Sequence, residues 1–81
     1  MSDERFIREG FGPCLGHAIE EAGEFIAAAG KTVRFGPDSV NPLLHPVRQE
    51  RNIDWMRREM DDLRGALDRL DVAIAQMGHS A

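Results

Sequence analysis

The chain has 81 residues and a mass of 9.0 kDa, one domain at most, and a chain this short buries only about 60% of the surface its unfolded form exposes. With 42% hydrophobic and 30% charged residues, its composition is globular rather than disordered; its one cysteine excludes an intramolecular disulfide framework, and no apolar run approaches the ~20 residues of a membrane span. Ten basic residues against 14 acidic ones give a formal charge of −4, which argues against binding a nucleic-acid duplex and leaves room for a cation site.

Residues 1–12 are polar and read as a frayed segment or a short helical turn through Phe6 and Ile7. MSDERFIREG has acids where a secretion signal has basic residues and an apolar core, so a cytoplasmic location is expected. The first strong helix is expected from Pro13 or Cys14 to Phe35, with Leu15, Ile19, Ala22, Ile26, Ala29 and Val33 forming one apolar face at steps of three and four. Gly36-Pro37 is its stop, because glycine takes the cap and proline cannot continue the helix. Residues 36–51, with Pro37, Pro42 and Pro46, read as an irregular connection. The second helix is expected from Asn52 to Met77, with Asn52 as N-cap, Asp54 in the first turn and Gly78 closing it. Ile53, Met56, Met60, Leu63, Leu67, Leu70, Ile74 and Met77 alternate steps of three and four, a heptad seam for helix packing. All 81 residues are thus read as one all-α domain, a hairpin of two long helices that completes a helical bundle by forming a homo-oligomer, a dimer or a tetramer.

Two acidic clusters fall on these helices. At about 100° per residue, Glu21 and Glu24 share one side of the first helix, and Glu59 and Asp62 share one side of the second. Like charges at this spacing repel, so a cation between them is expected. Glu59 and Asp62 border the apolar seam, whereas solvated acids gather opposite one, as Asp61 and Asp68 do. If the helices pair antiparallel, these acids converge into an all-oxygen site suited to a hard cation such as Mg²⁺. Lys31 lies two turns beyond Glu24 on the same side, in reach of a metal-held phosphate, and Arg34 follows three residues on. His17 precedes Glu21 by one turn, and Trp55 precedes Glu59 by one turn.

The run EEAGEFIAAAGKTVRFGPDS followed by RNIDWMRREMDDLRGALDRL resembles the MazG-like all-α nucleoside triphosphate pyrophosphohydrolases, and among them the small bacteriophage-type members. That family carries an ExxE motif on one helix and an ExxD motif on a later one, here Glu21-x-x-Glu24 and Glu59-x-x-Asp62, with Glu20 completing the frequent EExxE form. The resemblance implies hydrolysis of an NTP or dNTP to the monophosphate and pyrophosphate in a bacterial or phage-infected cell. It implies that Glu21, Glu24, Glu59 and Asp62 hold Mg²⁺, or Mn²⁺ in its place, and that Glu20 orients or deprotonates the attacking water. Lys31 and Arg34 would then meet the triphosphate. The alternatives are a non-catalytic helical interaction protein and a nucleotide-binding module without turnover.

Overall fold

The computed structural model describes residues 10–40 and 50–78. The expected turn through Phe6 and Ile7, and the prolines at 42 and 46, lie outside these residues. Two helices, α1 (Phe11–Phe35) and α2 (Asn52–Gly78), pack against each other, and among the described residues there is no β-strand beyond an isolated bridge between Val40 and Arg51. No described helix is long and apolar enough to cross a membrane. α1 begins slightly earlier than expected, with Pro13 in its first turn, where its missing N–H leaves no bond unmade. It ends at Gly36, whose φ of 97° suits glycine alone among ordinary residues.

The closed end of the hairpin accounts for its helix termini bond by bond. Asn52 is 2% exposed. Its side-chain Nδ2 donates to the carbonyls of Lys31 at 3.3 Å and Gly36 at 3.2 Å. Its own N–H donates to the Ser39 carbonyl at 2.8 Å, and the N–H of Ile53 donates to the Pro37 carbonyl at 2.9 Å. Thr32 Oγ1 returns a bond to the Asn52 carbonyl at 3.3 Å, and the Ser39 hydroxyl donates to the Phe35 carbonyl. Asn52 is thus the first residue of α2 rather than its N-cap as expected, the N–H groups of Asp54 and Trp55 donating to the Arg51 carbonyl, and its side chain instead joins the first turn of α2 to the last turn of α1. Arg51, exposed, pairs with Asp38 and Asp54 at 3.0 Å each, contacts of the kind that add little to stability.

From this clasp the helices run antiparallel, since Asn52 meets the end of α1 and Arg69 reaches back to His17. On α1 the covered line is Cys14, Ala18, Glu21, Phe25, Ala28 and Thr32, at steps of four and three. On α2 it is Asn52, Glu59, Ala66 and Ala73, seven residues apart. The buried apolar side chains are small (Cys14, Ala18, Ala28, Ala66, Ala73), which lets the two axes approach closely.

This packing corrects the expected face of α1. Leu15, Ile19, Ile26 and Val33 do not meet α2 but stand exposed. On α2 the expected seam lies beside the contact, not in it: Ile53, Met56, Met60, Leu63 and Leu70 are half-buried, and Leu67, Ile74 and Met77 are exposed. In an antiparallel pair, residues displaced to the same side of both covered lines share one broad face of the hairpin. One face is therefore apolar across both helices, and the other carries His17, Glu24 and Lys31 of α1 beside Trp55, Asp62 and Arg69 of α2.

The Asn52 clasp gives a direct test. Asn52→Asp keeps the shape but aims a second acceptor at two carbonyls, and Asn52→Ala leaves them without a donor. Both substitutions are expected to destabilise the fold by about 1–3 kcal/mol, Asp at least as much as Ala. Thermal unfolding at fixed protein concentration checks this, through an expected fall in Tm of several degrees.

Candidate metal centre

The covered lines of both helices are interrupted at one level by acids. Glu21 of α1 meets Glu59 and Asp62 of α2, and one carboxylate oxygen from each lies within 4.8 Å of the others. Glu59 is 6% exposed, Glu21 is half-buried and Asp62 is exposed, so the cluster opens toward the polar face.

Glu21 and Glu59 each have one oxygen anchored and one free. Glu21 Oε2 lies 3.2 Å from His17 Nε2. His17 Nδ1 lies 3.2 Å from Arg69 Nη2. A guanidinium only donates, so Nδ1 is the acceptor and Nε2 carries the proton that is donated to Glu21. Glu59 Oε2 accepts from Trp55 Nε1 at 3.2 Å and from Arg58 Nη1 at 3.5 Å. Arg58 is itself held by Glu50 at 2.9 Å. The remaining oxygens, Glu21 Oε1 and Glu59 Oε1, are buried and have no hydrogen-bond partner.

Burial pushes the Glu59 carboxyl above the usual carboxylate range; the Trp55 bond and the Arg58 charge act against this, and the charges of Glu24 and Asp62 add to it. A buried carboxylate oxygen without a donor is costly unless a cation balances it. The donor set fits a hard divalent ion: three carboxylates from two helices, two of them oriented by neighbouring side chains, with open solvent on one side for waters.

The other expected site residues lie around this centre. Glu24 is exposed on the same side of α1 and near enough for its charge to act on Glu59, but it stands outside the tight group. Glu20 is exposed and also outside it. Lys31 Nζ lies 5.5 Å and Arg34 Cζ 5.3 Å from the centre of the Phe35 ring, toward the closed end of the hairpin. Toward the open end a cleft of about 330 Å³ is lined by Cys14, Asp68, Arg69, Val72 and Gln76. Arg69 and Arg58 were not singled out from the sequence. Arg58 adjoins Glu59 in the chain, but the Arg69 contact spans 52 residues and no local spacing signals it. No known family model, curated protein or solved structure matches the chain.

The desolvation of Glu59 makes stability depend on pH. Because the folded-state pKa of Glu59 is raised, the folded chain binds more protons than the unfolded one between about pH 4.5, the ordinary value, and the raised value. Stability therefore falls as pH rises through that window. Glu59→Gln keeps the shape and the Trp55 bond but does not titrate. In metal-free buffer its Tm relative to wild type is expected to increase from pH 4 to pH 7, reaching or passing the wild-type value at neutrality. A Tm difference independent of pH would show that Glu59 is not desolvated.

Proposed function

We propose that this chain is a divalent-cation-dependent hydrolase that converts a nucleoside triphosphate to the monophosphate and pyrophosphate. The observation that carries the reading is the pair of buried, unpartnered carboxylate oxygens on Glu21 and Glu59, grouped with Asp62. The resemblance of Glu21-x-x-Glu24 and Glu59-x-x-Asp62 to the MazG-like motifs supports it.

In this reading Glu21, Glu59 and Asp62 hold Mg²⁺ or Mn²⁺, and Glu24, one turn from Glu21, supplies a further oxygen. A bound divalent cation would neutralise phosphate charge and lower the pKa of a coordinated water. The chain's own groups do the positioning. His17, backed by Arg69, fixes the Glu21 carboxylate, and Trp55 with Arg58 fixes that of Glu59. Glu20, exposed next to Glu21, accepts the proton of the attacking water. Lys31, with Arg34 beyond it, lies about 10 Å from Glu24 along α1 on the closed-end side. The cleft at Arg69 begins about the same distance from Asp62 on the other side. A triphosphate laid along the polar face then points its terminal phosphates at Lys31 and its nucleoside at the cleft.

A second reading, a non-catalytic interaction protein, is favoured by the exposed apolar side chains of α1.

Two measurements test the proposal. Pyrophosphate release is assayed over an NTP and dNTP panel with Mg²⁺ and Mn²⁺. At least one nucleotide is expected to yield monophosphate and pyrophosphate, and release of orthophosphate alone, or no turnover, counts against the activity. The Mg²⁺-induced rise in Tm is compared between wild type, Glu59→Gln and Asp62→Asn, since a ligand stabilises only what binds it. Wild type is expected to gain markedly more than either variant, and hydrolysis in the variants to fall by orders of magnitude. Equal gains would remove the metal centre. Lys31→Ala is expected to lower kcat/KM several-fold while leaving the Mg²⁺-induced shift intact.

A further inference from the structure

We propose that Arg69, held in place by His17, is the contact for the substrate's phosphate chain at its cleft end, a role that rests on the hydrolase reading above and falls to a residue outside both acidic motifs. Arg69 is exposed on the polar face of α2, two turns beyond Asp62. Its side chain runs back toward the acids, as helical side chains lean toward the N-terminus. A Cβ added to Gly65, one turn earlier, would lie 3.7 Å from Arg69 Nη1. The head group thus stands between the three carboxylates and the cleft that Arg69 also lines. Nη2 donates to His17 Nδ1 at 3.2 Å, and His17 Nε2 donates to Glu21 at 3.2 Å. One short chain of hydrogen bonds therefore sets both the guanidinium and a carboxylate of the metal centre.

The partners of the arginines differ in kind. Arg51, Arg58 and Arg64 each meet a carboxylate, at 3.0, 2.9 and 3.0 Å. Arg69 pairs with no carboxylate among the described residues, although Asp68 adjoins it in the chain and Asp62 lies on its own side of α2. Its acceptor is a neutral ring nitrogen, which cancels no charge. The remaining N–H groups of the guanidinium have no acceptor among the described residues. A guanidinium so placed is a donor for phosphate, the ligand that its planar fork matches as well as it matches a carboxylate.

The charge of the centre requires such a group. Three carboxylates outweigh one divalent ion by one charge, so the metal-loaded centre is still negative, and a phosphate chain needs cations beside it. Lys31 supplies one toward the closed end of the hairpin, and Arg69 supplies one toward the open end, where the cleft begins. His17 orders the arginine before the ligand arrives, which spares binding the loss of rotamer freedom that an unheld side chain would meet.

The test reads binding rather than turnover, on the full chain saturated with Mn²⁺, whose uptake is followed by the loss of the free-ion spin-resonance signal. The probes are the α,β-methylene analogues of ATP and UTP, which keep the phosphate chain and release no pyrophosphate, with affinities from calorimetry. Arg69→Ala is expected to weaken each analogue that the wild type binds by roughly tenfold or more, and by similar factors for the two bases, since the contact is to phosphate. Because Arg69 is exposed, the substitution leaves the helix contact intact. His17→Leu is expected to weaken the analogues several-fold in the wild-type chain and by less than about twofold in Arg69→Ala, because it acts through the arginine; saturating metal removes its effect through Glu21. Undiminished affinity in Arg69→Ala, a loss that depends on the base, or equal losses for His17→Leu in both backgrounds overturns the proposal and leaves the hydrolase reading standing. A wild-type chain that takes up no Mn²⁺, or takes it up and binds neither analogue, overturns both.

Discussion

The register between the two helices depends on one buried amide. Asn52 donates to two carbonyls at the end of α1 while its backbone N–H is taken by Ser39. With that point fixed and the helices antiparallel, every later residue of the covered line on α2 is counted from it in sevens: Glu59, Ala66, Ala73. Glu59 arrives opposite Glu21 for this reason, and Arg69 arrives opposite His17. A slip of one turn at the clasp would move Glu59 about 5.4 Å along α1 and separate the three carboxylates. The bonds that order a chain reversal thus also assemble the acidic centre.

Much of this was legible in the sequence, for reasons that differ by residue. Helix extents follow from periodicity and from Gly36-Pro37, both local signals. The approach of Glu21 to Glu59 and Asp62 is legible from which side of each helix the acids occupy, on the condition that the helices pair antiparallel, a condition that no local spacing supplies. What could not be read was the face by which α1 meets α2. The strongest apolar stripe of α1, through Ile19, Ile26 and Val33, was expected to be the packed one, yet the line through Cys14, Ala18, Phe25 and Ala28 is covered instead. A periodicity reports that a face is apolar and not which element covers it. Small residues score weakly in such a pattern, although they are what allows close helix approach. The Asn52 bonds and the His17–Arg69 contact depend on register, which no window of local sequence contains.

The small residues also bear on the electrostatics. Ala18 and Ala28 lie on either side of Glu21 along α1, and Ala66 follows Glu59 by two turns on α2. Close approach at these alanines keeps water from one oxygen of each glutamate, which is why burial is the first cause of the raised Glu59 pKa. Larger side chains there would separate the helices, admit water between them, and return Glu59 toward an ordinary carboxyl. The alanines therefore bear on the acidic centre without touching a ligand.

A two-helix layer has no interior, so each of its broad faces must find its own environment. Here the division is sharp: one face is charged and open, the other apolar and open. Burying acids in the contact removes from the hairpin much of the apolar packing that would hold two helices of this length together. The small buried set of Cys14 and four alanines cannot supply it, since a fully buried leucine or isoleucine contributes about 1.5–3 kcal/mol and none is present among the described residues. The large apolar side chains have instead been moved to the opposite face. A hairpin that places carboxylates in its own seam thus keeps its large apolar side chains on the face turned away from them.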